Sequence, residues 1–180
     1  VSVNVTDDVP LANLKVDAAD PYLTVDETVA GTQGDEPGNP TLFSVVPNQG
    51  HFGSMAAQYA TDGDLLIASG SKVGADDPAT TRFWLDLASA PVGGLDSHIT
   101  TSHDHREVYL FKETYSGQDY IVGRYDAVGD GDTVVTSSDP AAFALYVNPM
   151  TGAISVALFE AVTNPNPASH DEPLYLGNNL

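Results

Sequence analysis

Short stretches in which apolar and polar residues alternate recur along almost the whole chain, and they limit the folds that it can adopt. Alternation with a period of two residues is typical of β-strands. It occurs in VSVNV, YLTV, RFWLDL, EVYLFKETY, DYIVGRY, AFALYV and AISVALF. Turn-forming clusters such as GTQGDEPGNP, GADDPATT and PVGGLDS separate these stretches. The pattern predicts an all-β fold, a β-sandwich of immunoglobulin-like or related type with long acidic loops.

Helical periodicity is not sustained in any segment, so we expect little helix. The best candidate is HFGSMAAQYA, residues 51–60, which is short and starts beside glycines.

The clearest hairpin is FALYVNPMTGAISVALF, with its turn at residues 148–152. We expect its apolar residues to form two rows: Phe143, Leu145 and Val147 share one face, and Ile154, Val156 and Leu158 share another.

The length of 180 residues, 42% of them hydrophobic, is enough for a sizeable core. It is long for one sandwich but short for two ordinary domains. We expect VSVNV to close a preceding module, so that residues 1–18 are the end of that module and a linker. Residues 19–180 then form a single β-sandwich module.

The charge balance favours cations as partners. Six basic residues face 25 acidic ones, which gives a formal net charge of -19. Such a surface excludes a phosphate-tracking nucleic-acid site and disfavours docking on anionic lipid. Bound Ca²⁺ would neutralise part of this charge, because hard cations prefer carboxylate oxygens. The alternative, an acidic surface that serves solubility alone, stays open.

The chain contains no cysteine, so disulfides and thiolate metal sites are absent. In a secreted protein of this size, any stabilising cross-link is then expected to be ionic. No apolar run approaches the roughly 20 residues of a membrane span.

Acidic residues gather in glycine-rich turns, a pattern typical of oxygen cages for calcium. The three segments are ATDGDL, GADDP and YDAVGDGDT. Their acids are Asp62, Asp64, Asp76, Asp77, Asp126, Asp130 and Asp132. The spacing does not match an EF-hand, which also needs a bidentate Glu. For each turn taken singly, a solvated loop is an equally good interpretation.

Histidines cluster at His98, His103 and His105, and His170 stands beside two acids. In an extended segment the rings of His103 and His105 would point to one side and suit zinc, although loop histidines that bind nothing are commoner. Neither G-x-S-x-G nor H-E-x-x-H occurs. We therefore predict a protein that is not an enzyme.

The order of motifs resembles the repeat domains of large RTX (repeats-in-toxin) adhesins, which Gram-negative bacteria export by type I secretion. The motifs are VTDDVP, LTVDETV, VGADDP, GGLDS, EVYLF, VGRY, AFALYVNPMTGAISV and NPNPASHDEPLYL. The similarity runs over most of the chain from Thr6 onward. It implies a β-rich extender or adhesion module that is secreted, held at the bacterial cell surface and stiffened by calcium.

The resemblance adds acidic positions to the predicted calcium ligands. The D-D-x-P junction falls on Asp7, Asp8 and Pro10, and T-V-D-E falls on residues 24–27. The added ligands are Asp7, Asp8, Asp26, Glu27 and Asp171.

The resemblance also sets the expected partners, which are neighbouring modules of the same polypeptide. We expect a calcium-binding structural or adhesive module that contributes to surface attachment and biofilm formation. The segments HITTSHDHRE and YDAVGDGDTVVTSSDP are longer than in the family pattern. The alternative is therefore a module that binds a ligand, for example a glycan, at the distal end of the adhesin.

The position of Asp7 and Asp8 generates a first prediction. If they hold an ion at the joint between modules, changing both to Asn weakens that site without opening a cavity. Small-angle scattering of a two-module tandem in millimolar calcium should then give a shorter, more variable end-to-end distance. The melting temperature of the isolated module should change little. A double variant as extended as the parent would contradict the junction site.

Overall fold

The described part of the chain is built almost wholly from β-strands. A computed structural model describes residues 15–16, 23, 25, 36–50, 57–67, 81–127 and 134–163. Its strands are β1 (Lys15–Val16), β2 (Glu36–Pro37), β3 (Gln58–Asp62), β4 (Leu66–Ile67), β5 (Leu95–Thr100), β6 (Glu107–Tyr115), β7 (Gln118–Tyr125), β8 (Ala141–Val147) and β9 (Ile154–Leu158). Within these residues the single helix is α1 (Pro40–Phe43). The prediction of an all-β chain with little helix is confirmed.

Seven strands form one antiparallel sheet in the order β2-β3-β9-β8-β7-β6-β5. Strands β5 to β9 are consecutive in sequence and adjacent in space, so this half of the sheet is a meander. Strands β1 and β4 form a separate two-stranded pair. No helix in the described segments has the length and apolar character to cross a membrane.

Strand β1 lies within residues 1–18, the predicted linker, and pairs with β4. The predicted boundary between residues 18 and 19 lies outside the described residues. VSVNV lies outside them too.

The β8–β9 hairpin forms as the sequence predicts, with one difference in its faces. The register pairs Phe143 with Leu158, Leu145 with Val156 and Val147 with Ile154. Directly opposed residues of an antiparallel pair point to the same side of the sheet. The two apolar rows therefore share one face, and the expectation of two different faces was wrong.

The turn of this hairpin is organised by Asn148. Its Oδ1 accepts the backbone N–H groups of Met150 and Thr151 at 2.9 and 3.2 Å. Gly152 has a φ of 82°, a conformation that favours glycine.

Two other sequence expectations were wrong, one of them only in part. RFWLDL, residues 82–87, is extended but belongs to no strand of the structure. PVGGLDS was assigned wholly to a turn; the turn forms at residues 91–94, whereas β5 begins at Leu95. Residues 51–60, the weak helical candidate, were not expected to form a sustained helix; residues 58–60 belong to β3, and residues 51–56 lie outside the described part.

Helix α1 was not predicted, although a capping signal precedes it. Asn39 accepts the N–H of Thr41 at 3.0 Å, and Pro40 occupies the first helical position. Four residues are too few to produce a helical period. The helix buries Phe43 against one face of the sheet.

Both faces of the sheet are covered, which makes β7 a central buried strand. On one face Tyr120 and Val122 join the cluster around Phe43. On the other face Ile121 joins a second cluster with Leu110. Alternation along β7 therefore sends apolar side chains into two cores.

The face of the sheet that packs against Phe43 also carries a buried charged side chain, that of Arg124. Arg124 has 0% exposed surface, and its Nε and Nη2 donate to the two carboxylate oxygens of Glu113 at 2.7 and 2.8 Å. Tyr115 donates to the same carboxylate, and Arg124 donates to the phenol oxygen of Tyr115 at 3.1 Å. Arg124 Nη1 reaches the carbonyl of Asp139 at 2.5 Å and that of Pro47 at 3.4 Å. The guanidinium is therefore bound by a carboxylate and two loops.

Removing one partner of the Arg124–Glu113 ion pair should strongly destabilise the fold. Glu113→Leu leaves Arg124 charged and unpaired in the core, so we expect the free energy of unfolding in urea to fall by about 3–5 kcal/mol. Adding Arg124→Met removes the orphaned charge and should recover part of the loss.

The control is Lys112→Met on the same strand, where Lys112 pairs at the surface with Asp86 at 3.2 Å and Asp119 at 3.7 Å. Exposed pairs contribute about 0–1 kcal/mol. If Glu113→Leu cost no more than this control, the buried pair would not stabilise the sheet.

Candidate cation site around Asp126

One end of the sheet brings together three segments that are far apart in sequence. Strand β6 pairs with both β5 and β7, so the turn after Thr100 lies beside the end of β7 at Tyr125. Thr101 also forms a bridge with Val162. The segments 101–106, 125–127 and 160–163 therefore meet at this end.

Arg106 joins two carboxylates there. Its Nε donates to Asp104 Oδ2 at 3.2 Å, and its Nη1 donates to Asp126 Oδ2 at 3.1 Å. The same nitrogen reaches the carbonyl oxygen of Asp126 at 3.3 Å. One guanidinium thus balances two acids, and the trio keeps a net negative charge.

Asp126 has an acceptor that the described residues leave unsatisfied. Its Oδ1 is buried and has no hydrogen-bond partner in the described structure, while Oδ2 is held by Arg106. A buried carboxylate oxygen without a donor is unfavourable, and a cation would satisfy it. Asp126 is thus a candidate cation ligand.

Asp104 is fixed by the turn that carries it. Thr101 donates its hydroxyl to Asp104 Oδ1 at 2.6 Å and accepts the N–H of Arg106 at 3.0 Å. Burial raises the pKa of Asp104, but the hydrogen bond from Thr101 and the charge and hydrogen bond of Arg106 outweigh it. The pKa of Asp104 therefore lies below its usual value of 3.8.

A third carboxylate, that of Glu160, is buried nearby. Its Oε2 accepts the Tyr125 hydroxyl at 3.2 Å. Burial raises the pKa of Tyr125, and the charge and hydrogen bond of Glu160 and the charge of Asp104 raise it further. Tyr125 therefore stays protonated near neutral pH and donates to Glu160.

The structure describes three of the predicted calcium ligands: Asp62, Asp64 and Asp126. The others lie outside the described residues: Asp7, Asp8, Asp26, Glu27, Asp76, Asp77, Asp130, Asp132 and Asp171. In the described segments, no group of three or more His, Asp or Glu side chains is arranged to hold a metal. Calcium binding stays a prediction.

Asp62 already has a structural role at the end of β3. It is buried, and its Oδ1 accepts the N–H groups of Asp64 and Leu65, both at 2.9 Å. This side chain closes the turn between β3 and β4, as aspartates commonly do. These two hydrogen bonds account for the position and burial of the Asp62 side chain, and no metal is needed to explain them.

The histidines do not adopt the geometry assumed for zinc. Residues 102–104 form a turn, and His105 has a φ of 54°, so His103 and His105 do not lie along an extended segment. His98 also has a positive φ, at the register shift of β5, and its ring lies 3.2 Å from Asp96. His170 lies outside the described residues.

Sequence reasoning missed Arg106, Thr101, Tyr125 and Glu160. The available signal was the scarcity of positive charge: with six basic residues in the chain, each Lys or Arg near an acidic loop is a candidate partner. The strand register determines which acids contact Arg106, and it cannot be read directly from the sequence.

The lowered pKa of Asp104 generates a pH-dependent prediction. A carboxyl whose pKa is lower in the folded state stabilises the fold above the unfolded pKa, and this contribution is lost as pH falls through the folded pKa. Asp104→Asn should therefore lower the melting temperature at pH 7, and the difference from the parent should shrink below about pH 4. Glu107→Gln, an exposed change nearby, serves as control. A difference that stays constant down to acid pH would show that charge is not involved.

A comparison with protein families gives one match. A family model described as "Domain of unknown function (DUF5801)" matches residues 22–180. No curated protein and no solved structure matches the chain. The matched range holds every strand from β2 to β9. The chain therefore belongs to this family of domains of unknown function, DUF5801.

Proposed function

We propose that the chain is a calcium-binding structural or adhesive module of a secreted bacterial adhesin of the RTX type, contributing to surface attachment and biofilm formation. The observation that carries calcium binding is Asp126 Oδ1, which is buried and has no hydrogen-bond partner among the described residues. It stands at the start of the acidic segment YDAVGDGDT. The net charge of -19 supports the same proposal, because bound cations reduce the repulsion among the acids.

The architecture suits a structural module. Both faces of the central sheet are filled, and the buried Arg124 ties two loops to it. The secreted, cell-surface setting rests on the ordered motifs that resemble RTX adhesin repeats. Neighbouring modules of the same polypeptide are the proposed partners.

Calcium should raise the melting temperature of the module. An ion that binds only the folded state stabilises it by about 2.7 kcal/mol at a hundredfold excess over its dissociation constant. Magnesium should do less, because it tolerates irregular oxygen cages poorly. Scanning calorimetry with calcium, magnesium and sodium at matched ionic strength measures the difference. Equal melting curves in calcium and sodium would refute specific sites.

Asp126→Asn should reduce the calcium-dependent rise in melting temperature, because it removes a charged ligand. Asp119→Asn removes the same charge from a half-exposed side chain and should leave the rise intact. If both variants kept the full rise, calcium would bind elsewhere and Asp126 would not be a ligand.

A further inference from the structure

The segment Arg82–Leu87 has the form of a strand, and no strand of the described residues pairs with it. Its alternate residues Phe83, Leu85 and Leu87 are partly buried. Leu85 and Leu87 pack on the second apolar cluster of the sheet. The residues between them, Arg82, Trp84 and Asp86, are exposed. The segment is therefore fixed to the sheet by one face and presents the other to solvent.

Most backbone groups of this segment have no hydrogen-bond partner among the described residues. In the described structure its hydrogen bonds are those of Phe83 N–H to the Pro149 carbonyl, 3.0 Å, and of Leu87 N–H to the Asp86 carboxylate, 3.1 Å. An extended segment with free N–H and C=O groups is a template for pairing with another strand. This segment also carries Trp84, the one tryptophan of the chain, with 70% of its surface exposed.

The residue order determines which strand fits. If two copies of the segment pair antiparallel about Trp84, residue 82 of each copy faces residue 86 of the other, and the two Trp84 residues face each other. Each Arg82 then lies opposite an Asp86, which gives two cross-strand ion pairs in one symmetric contact. Asp86 uses Oδ1 for Lys112 at 3.2 Å, which leaves Oδ2 for Arg82 of the second copy.

We propose that residues 82–86 form a self-complementary edge through which two copies of this chain associate by antiparallel β-pairing. The charge complementarity of Arg82 and Asp86 selects a second copy over other occupants. The general repulsion between two chains of net charge -19 opposes this contact, so the local pairs have to overcome it. The association does not depend on the proposed calcium binding.

The single tryptophan gives a direct measurement. In buffer of physiological ionic strength, Trp84 emission should shift to the blue as protein concentration rises towards about 1 mM, the weak end of specific association. Sedimentation equilibrium should show a monomer–dimer equilibrium over the same range. A monomer at every concentration, with unchanged emission, would overturn the proposal.

Charge swaps test the register. Arg82→Asp and Asp86→Arg should each weaken the dimer at least about tenfold, because like charges then face each other. The two single variants mixed together should associate as heterodimers, since two acids on one chain then meet two bases on the other. The double variant Arg82→Asp/Asp86→Arg keeps the net charge and should dimerise like the parent. Failure of both the mixture and the double variant to associate would refute this register.

The role of the indole has its own control. Trp84→Ala should weaken the dimer without opening the core, because the side chain is exposed. Val92→Ala removes a fully exposed apolar side chain from a turn and should leave the dimer unchanged. If both variants weakened association equally, or neither did, the contact would not be centred on Trp84.

Discussion

Arg124 has no exposed surface, so its charge has to be balanced inside the protein. Strand β6 supplies the balance through Glu113 and Tyr115, and the loops at Pro47 and Asp139 add backbone carbonyls. Burial lowers the pKa of Arg124, but its contacts with Glu113 and Tyr115 outweigh burial and leave the pKa raised. Burial and Glu113 together raise the pKa of Tyr115 to about 12. Arg124 and Glu113 therefore pair directly, and the protonated phenol of Tyr115 forms a hydrogen bond with each of them.

Two other basic side chains of the described structure, Arg106 and Lys112, are also paired with carboxylates. Arg106, Lys112 and Arg124 each contact a carboxylate, and Arg106 and Lys112 each contact two. Their environments differ: Lys112 pairs with largely exposed carboxylates, Arg106 pairs with partly buried ones, and Arg124 is enclosed. The stabilising effect of an ion pair depends on how much solvent the fold removes from it. Of the three, the pair of Arg124 with Glu113 is therefore the one most strongly shielded from solvent.

The sequence predicted those parts of the fold in which local pattern and tertiary pairing agree. EVYLFKETY coincides with β6, and the β8–β9 hairpin follows its Asn148 turn. RFWLDL has the same alternation but pairs with no strand of the described residues, because alternation indicates burial of one face and does not identify a neighbouring strand. Strand β5 was missed because its register shift breaks the period, and Ser97 is buried there by donating to the Val108 carbonyl at 2.6 Å. Asp126 could be named from its acidic loop, whereas its contact with Arg106 follows from the pairing of β6 with β7.

The short connection between β6 and β7 constrains the order in which the molecule assembles. Ser116 and Gly117, with φ of 52° and 78°, form a two-residue hairpin loop, so Glu113 and Arg124 meet after closure of a small loop. Pro47, in contrast, is 77 residues from Arg124 in sequence. Local contacts form faster than distant ones, so the ion pair is expected to form in a hydrated hairpin before the Pro47 loop closes over it. We expect partial unfolding to reverse this order, so that water reaches Arg124 from the side of the Pro47 loop while the hairpin is still intact.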